Sequence, residues 1–255
     1  MHLLIVDAMN LIRRIYAAAA DTELPLEATR SRCLSAIARN AEYAKATHVA
    51  MVFEQKCQTW RHELWPDYKL GRPPMPEALQ HDLADMQRYF QQSGVFCLDL
   101  AGWEGDDVMA TLASKAAFAG LQVTILSTDK GFCQLVNPRL SVRNHFDRFT
   151  WDELMVEQKF GLKPQQLADF WALTGDSTNH LPGVAGIGPK TAGHLLDQFG
   201  SLDVLLVQRE QCDTKVRNAL NEHWPTALLT RVLARLRTDV PLGFNLHDLR
   251  WQSGR

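Results

Sequence analysis

The sequence predicts an α/β protein in which a mostly parallel sheet flanked by helices is followed by a helical region. Two observations support this fold class. Short runs of aliphatic and β-branched residues alternate with helical patterns as far as Leu126, as is typical of parallel strands joined by crossover helices. After about Asn144 this alternation ends, and the apolar spacing becomes helical.

The predicted elements can be followed along the chain. The strands are expected at Leu3–Val6, Val49–Phe53, Val95–Leu98 and Val123–Leu126. The helices between them are expected at Leu24–Ala46, Glu77–Gln92 and Glu104–Ala119. Later helical segments are expected near Asp152–Phe160, Pro164–Leu173, Gly188–Phe199 and Thr226–Leu236. The pattern divides the chain into a sheet-containing domain over residues 1–150 and a helical module over residues 151–255.

Composition excludes several classes of protein. The chain has 255 residues, of which 46% are hydrophobic and 22% charged, as expected for a folded globular protein. Asp7 interrupts the first apolar run before it reaches the length of a secretion signal, and no segment has the apolar length of a membrane span. Five scattered cysteines without paired spacing are typical of reduced thiols, so we expect the protein in the cytoplasm. The net charge of −2 means that any binding of nucleic acid must be local.

Acidic side chains follow several of the predicted strands. They are Asp7, Glu54, the cluster Glu104, Asp106 and Asp107, and Asp129. Because the carboxyl ends of parallel strands meet at one edge of a sheet, we expect these acids to converge there. Their repulsion would be severe without a cation, and ligation by oxygen alone favours Mg²⁺ or Mn²⁺ over zinc. The sequence therefore predicts a divalent-metal site at this edge.

The acidic cluster also has a purely structural interpretation. A helix N-terminus favours acidic residues, because its free N–H groups and its dipole stabilise negative charge. However, Glu104 and Asp107 are three residues apart on one helical face, where like charges repel. Taken alone, the cluster fits a helix cap as well as a metal site.

Basic and aromatic residues alternate in the segment Gln55–Pro76, which is polar and rich in proline. Its cations and rings are Trp60, Arg61, His62, Trp65, Tyr68, Lys69 and Arg72. Such interleaving suits a nucleic-acid strand whose phosphates are paired with cations and whose bases stack on rings. An ordinary solvated loop is the alternative interpretation.

A glycine-rich turn precedes one of the later helices. The sequence LPGVAGIGPKTA, residues 181–192, places Pro189 at a first helical turn and Lys190 beside it. The free N–H groups of a helix start, approached closely through the glycines, can seat a phosphate. The turn is therefore predicted to hold a nucleic-acid backbone without reading its sequence.

The order of these motifs resembles that of the 5′-nuclease, or flap endonuclease, family in its short form without a polymerase. The matching motifs are Asp7 with Asn10 and Arg13-Arg14, TWRHELWPDYKLGRPPMP, EGDD, STDKG and GDSTNHLPGVAGIGPKTA. The resemblance implies a PIN-like nuclease domain, an arch region over residues 55–76 and a helix-hairpin-helix over residues 181–199. It also implies Mg²⁺-dependent cleavage of flapped or branched DNA near junctions of single and double strands. Separately, we expect the protein to be a monomer.

The resemblance implies a complete first metal site and an incomplete second one. The first would use Asp7, Glu54, Glu104, Asp106 and Asp107, of which Asp106 is the strongest candidate. The second would keep Asp129 and Asp176, but Gly131 and Asn179 stand where the family usually has acids, and His180 replaces an asparagine. We therefore expect one metal held by the protein and a second recruited with substrate phosphate.

Other roles are carried over from the family by position. The residues implied to guide the scissile phosphate are Lys69, Arg72 and Lys130. The residues implied to contact DNA are Arg13, Arg61, Tyr68, Gly186, Ile187, Gly188, Pro189, Lys190 and Thr191. A potassium ion would be bound by the main-chain carbonyls of Leu173, Thr174, Pro182, Val184 and Ile187.

Two alternatives remain open at the level of sequence. Gly131 and Asn179 raise the possibility of a degenerate protein that binds branched DNA without cutting it. The acidic site by itself also fits a PIN-domain ribonuclease, although the hairpin and the long basic segment favour DNA.

Overall fold

A six-stranded sheet forms the centre of the protein in the computed structural model, which describes residues 1–55 and 58–251. Its strands are β1 (His2–Asp7), β2 (His48–Val52), β3 (Phe96–Leu98), β4 (Gln122–Leu126), β5 (Leu140–Asn144) and β6 (Phe149–Trp151). The spatial order is β3-β2-β1-β4-β5-β6, and all pairs are parallel except β5 with β6. The predicted mostly parallel sheet is thus confirmed.

Helices cover both faces of the sheet. They are α1 (Ala8–Ala17), α2 (Pro25–Ala44), α3 (Trp60–Leu64), α4 (Glu77–Gln92), α5 (Gly105–Phe118), α6 (Glu153–Phe160), α7 (Leu167–Thr174), α8 (Pro189–Phe199), α9 (Leu202–Val207) and α10 (Thr214–Ala234). Alternate residues of β1 enter two cores: Leu4 packs with α1, α2 and α4, whereas Leu3 packs with α5 and the C-terminal helices. Among the described helices, none has the length and apolarity needed to cross a bilayer.

Two strands, β5 and β6, and three helices, α1, α3 and α9, were not predicted. The strands β5 and β6 lie beyond the expected end of the sheet pattern, and β6 crosses the proposed boundary at residue 150. The alternation of apolar and polar residues that would indicate a strand is interrupted in β5, because the charged residue Arg143 is buried there. Helix α1 begins directly after β1, because Asp7 accepts a hydrogen bond from the Asn10 amide and caps the helix.

Residues 60–68 pack against the C-terminal region, which differs from the alternative interpretation of the segment 55–76 as an ordinary solvated loop. Residues 56 and 57 of this segment lie outside the described part of the chain. Tyr68 is buried with Leu181 and Leu233, and Trp60 and Trp65 pack against the same cluster. The aromatic side chains therefore anchor the segment, and its basic side chains are placed by that anchor.

Two glycines allow the end of α7 to touch the glycine-rich turn. The amide of Val184 donates to the carbonyl of Leu173 at 2.8 Å. A Cβ on Gly183 would lie 2.5 Å from the Gly175 nitrogen, and a Cβ on Gly175 would lie 2.9 Å from the Gly183 nitrogen. No side chain fits between the two backbones, so the sequence requires glycine at both positions.

We predict that Gly183→Ala lowers the free energy of unfolding by about 3 kcal/mol or more, because the added methyl group meets backbone atoms that cannot move aside. Denaturant unfolding measures this change. The matched control is Gly193→Ala, whose added Cβ meets no atom within 4 Å. Equal unfolding free energies for Gly183→Ala and the wild-type protein would contradict the prediction.

Candidate active site

A cleft of about 990 Å³ opens at the carboxyl edge of the sheet. Its acidic lining residues are Asp7, Glu54, Asp106, Asp129 and Asp176. Its basic lining residues are Arg13, Arg14, Arg61, Lys69, Arg72 and Lys130. The structure therefore brings together five of the seven acids predicted from the sequence and all three cations expected to guide a phosphate.

Neighbouring strands deliver Asp7 and Asp129 to the same edge. Asp7 is the last residue of β1, and its carboxylate accepts from the Asn10 amide at 3.0 Å and from the Ser127 hydroxyl at 2.7 Å. Asp129 follows β4 and accepts from the Gly131 amide at 2.7 Å. The Ser127 hydroxyl in turn accepts from the Asp129 amide at 3.1 Å. The two acids are thus fixed relative to each other by shared hydrogen bonds.

The acids of the cleft are short of compensating charge. Burial raises the pKa of Asp7 to about 6, and the charges of Asp129 and Glu54 add to this effect. Loss of hydration inside the cleft also raises the pKa of Asp106 well above its usual value, and Asp129, Glu54 and Asp7 raise it further, against the opposing charge of Lys69. This excess of negative charge is what a bound divalent cation would relieve.

Asp107 does not lie in the cleft, which corrects its predicted role as a metal ligand. Its side chain is fully buried, and both carboxylate oxygens pair with the guanidinium of Arg61 at 2.8 Å. The indole of Trp60 and the amide of Arg237 donate to the same carboxylate at 3.1 and 3.0 Å. Asp107 therefore neutralises a buried arginine, while its neighbour Asp106 faces the cleft.

Glu104 is also buried, and it accepts hydrogen bonds from three side chains. Thr59 donates at 2.8 Å, Tyr68 at 3.1 Å and Lys69 at 2.8 Å. Although burial alone would raise the pKa of Glu104, the charges of Lys69 and Arg61 lower it to about 2. In this arrangement Glu104 holds the ammonium of Lys69, which lies 3.8 Å from Asp106 at the cleft.

Arg61 and Tyr68 are buried, which corrects the expectation that they contact DNA. Only 1% of Arg61 and 6% of Tyr68 is exposed. Arg61 also donates to the carbonyl of Leu233 at 2.8 Å and to that of Arg235 at 3.2 Å. A general rule could have indicated this pairing. A buried carboxylate that binds no metal needs a cation beside it, and Asp107 is such a carboxylate.

Residues that replace family acids donate hydrogen bonds to the acids that remain. Gly131 donates its amide to Asp129, and Asn179 donates its side-chain amide to Asp176 at 2.5 Å. Across residues 1–55 and 58–251, no group of three or more acidic, histidine or cysteine side chains is arranged to hold a metal ion as it stands. The carboxylates instead line a wide cleft, which leaves room for water or phosphate oxygens between them.

The glycine-rich turn leads into α8 as predicted. Gly186 has a φ of +83°, Gly188 caps the helix, and α8 starts at Pro189. Lys190 is exposed, whereas Ile187 is buried and anchors the turn. Gly188, Pro189 and Lys190 are thus exposed together at the start of α8, as a phosphate seat requires.

The fold and the acidic cleft define an α/β protein of the 5′-3′ exonuclease class. Residues 2–161 match the family model described as 5'-3' exonuclease, N-terminal resolvase-like domain, and residues 162–255 match the model described as 5'-3' exonuclease, C-terminal SAM fold. The chain therefore belongs to the 5′-3′ exonuclease family, which confirms the family predicted from its five motifs.

Its relatives include proteins of almost the same length. The chain is 45% identical over 252 residues to the flap endonuclease Xni of Serratia proteamaculans and 44% identical over 252 residues to that of Photorhabdus laumondii. In both comparisons the match covers 98% of this chain and 98% of the relative.

Solved structures show the same fold. The T5 5'-exonuclease with bound zinc has a TM-score of 0.81 and 21% identity, over 93% of this chain and 90% of that chain. The catalytic core of Rad2 in complex with a DNA substrate has a TM-score of 0.63 and 15% identity, over 98% of this chain and 82% of that chain. These likenesses confirm the predicted fold class.

We predict that Asp107→Asn destabilises the protein by about 2–5 kcal/mol, because it removes the carboxylate that pairs with the buried guanidinium of Arg61 through two short hydrogen bonds and leaves Arg61 with a 3.4 Å contact to Glu104. Asp106→Asn is the matched control at the adjacent position, and it should leave stability equal or higher because it removes a carboxylate from a repulsive cluster. Denaturant unfolding with a chelator present measures both. Equal effects of the two substitutions would contradict the separate roles described above.

We predict that Asp7→Asn raises the free energy of unfolding at pH 8 by about 1–3 kcal/mol in the presence of a chelator. The pKa of Asp7 is raised to about 6 in the folded protein, so the stability associated with its protonated form is lost as the pH rises through that value. The advantage of the variant should therefore shrink between pH 6 and pH 4. Urea unfolding across this range tests the prediction, and an advantage independent of pH would contradict it.

Proposed function

We propose that this protein is a structure-selective 5′-flap endonuclease that hydrolyses DNA phosphodiesters near junctions of single and double strands, using Mg²⁺, in DNA replication or repair. The observation that carries this proposal is the cleft itself, where uncompensated carboxylates face Lys69, Arg72 and Lys130. Identity of about 45% to flap endonucleases over nearly the whole chain supports it.

The proposed metal ligands are the acids that face the cleft. Asp7, Glu54 and Asp106 would hold one ion, and Asp129 with Asp176 would hold a second together with substrate phosphate. Their donor set consists of oxygen alone, which fits Mg²⁺, and Mn²⁺ is expected to substitute. Such an ion, when bound, lowers the pKa of its water and neutralises charge on the phosphate. Because Asp107 is saturated by Arg61, it is left out of this set.

The cations of the cleft would place the scissile phosphate. The charges of Asp106 and Glu104, with the neighbouring Tyr68, raise the pKa of Lys69 despite its burial, so its ammonium keeps its proton at every physiological pH. Lys69 therefore acts by charge and does not serve as a general base. Arg72 lies at the exposed rim, where its guanidinium can pair with two phosphate oxygens.

The C-terminal module would hold the duplex through its backbone. The turn over residues 186–191 would seat phosphates at the start of α8, at a fixed distance from the cleft, which gives selectivity for DNA structure without base contacts. The contact between Gly175 and Gly183 brings together the segments whose carbonyls are the proposed K⁺ ligands. These are Leu173, Thr174, Pro182, Val184 and Ile187. Neutral carbonyl oxygens are the donors expected for a weakly hydrated monovalent cation.

A second candidate function is binding of branched DNA without cleavage. Gly131 and Asn179 favour it, because they leave Asp129 and Asp176 as the acids on that side of the cleft. The intact set of Asp7, Glu54 and Asp106 favours cleavage, so we retain the nuclease as the proposal. The protein is expected to act as a cytoplasmic monomer.

We predict that Asp106→Asn lowers the single-turnover rate constant for cleavage of a labelled 5′-flap duplex with Mg²⁺ by at least about 100-fold, while DNA affinity in the absence of Mg²⁺ is retained. Gel analysis of single-turnover reactions measures cleavage, and fluorescence anisotropy measures binding. Glu42→Gln is a suitable control, since Glu42 is exposed on α2 away from the cleft.

Other outcomes would redirect the assignment. Tight binding of flap DNA without cleavage, unchanged by Asp106→Asn, would establish the non-cutting alternative. Faster turnover of single-stranded RNA than of flap DNA would instead indicate a ribonuclease.

A further inference from the structure

Two loops from distant parts of the sequence are joined at the rim of the cleft. We call residues 65–72 the basic turn and residues 176–181 the acceptor loop. The indole of Trp65 donates to the carbonyl of His180 at 3.0 Å, and the amide of Lys69 donates to the carbonyl of Asn179 at 3.0 Å. The guanidinium of Arg72 donates to the side-chain oxygen of Asn179 at 2.5 Å. The basic turn is therefore tied to the acceptor loop along its whole length.

Asn179 is the centre of this contact. Its main-chain carbonyl accepts from Lys69, its side-chain oxygen accepts from Arg72, and its side-chain nitrogen donates to Asp176 at 2.5 Å. An aspartate at this position could accept from Arg72, but it would repel Asp176. The amide is thus chemically matched to a place between a cation and an anion.

The backbone of both loops shows that the contact constrains them. Lys69 and His180 have φ values of +57° and +56°, in the left-handed region that residues other than glycine rarely adopt. Such conformations persist when surrounding contacts hold them. Beneath them, Tyr68 is buried against Leu181, so an apolar contact backs the polar one.

We propose that Asn179 is a positioning residue, which holds Arg72 and, through the basic turn, Lys69 at the cleft before DNA arrives. This inference rests on the proposed function, since it assigns a purpose to cations that would guide the phosphate. Arg72 is exposed and has many rotamers, so a fixed hydrogen bond to Asn179 reduces the ordering that substrate binding would otherwise require. Misplacing a guiding cation by about 1 Å can cost up to about 100-fold in rate.

Hydrogen exchange tests the contact without relying on activity. In the full-length protein without DNA or metal, Asn179→Ala should speed amide exchange in the peptide covering residues 65–72 by about tenfold, because a hydrogen bond to a charged group is lost. Arg72→Ala removes the same bond from the other side and should act similarly. Ser177→Ala is the control within the acceptor loop, since its side chain is exposed, and it should leave exchange unchanged.

Kinetics then test whether Asn179 acts through Arg72. Asn179→Ala should lower kcat on a 5′-flap duplex by about tenfold or more, with a smaller change in KM. In an Arg72→Ala background the same substitution should cost clearly less than in the wild-type background, because the bond to Arg72 is already absent and only the bond to Asp176 is still lost. Additive losses in the double variant would overturn the positioning role.

The two proposals can fail separately. Normal cleavage by the wild-type protein with unchanged exchange in Asn179→Ala would overturn the positioning role alone. Absence of flap cleavage by the wild-type protein would overturn the proposed function, and the catalytic purpose of the contact with it.

Discussion

The structure depends on the buried ion pair between Arg61 and Asp107. A guanidinium that is 1% exposed would be strongly destabilising without a partner, and here it meets a carboxylate through two hydrogen bonds. The partners come from α3 and from the start of α5, and main-chain groups of Leu233, Arg235 and Arg237 complete the arrangement. Arg61 and Asp107 both belong to the sheet domain, whereas these main-chain groups belong to the helical module, so the hydrogen bonding of the pair is complete only when the module is docked.

This pairing divides neighbouring acids into two functional groups. Asp107 and Glu104 are compensated by buried cations, so they stabilise the fold and keep Lys69 in place. Burial raises the pKa values of Asp106 and Asp7, and the neighbouring carboxylates raise them further, so keeping both groups charged costs stability. The protein thus places its unfavourable charge where a cation from solution can relieve it.

The sequence predicted the sheet and the acids of its edge, because alternation of strands and helices determines where parallel strands end. It did not show that Asp106 and Asp107 have different roles. Both are first-turn acids of one helix, and their different roles depend on Arg61, which lies 46 residues earlier in the chain. Similarly, composition could not show that Tyr68 lies inside the molecule. An aromatic residue between basic residues gives the same sequence pattern whether its ring is exposed or buried. Such distinctions arise from long-range packing.

The hydrogen bonds that join Arg61 and Asp107 to the chain after α10 also have a consequence for synthesis of the protein. The amide of Arg237 completes the hydrogen bonds of Asp107, although 130 residues separate the two in sequence. A chain still emerging from the ribosome has its acidic helix long before it has this partner. The hydrogen bonding around Asp107 therefore stays incomplete until Arg237 has been translated, so the arrangement that organises the acidic site depends on a contact of high sequence separation.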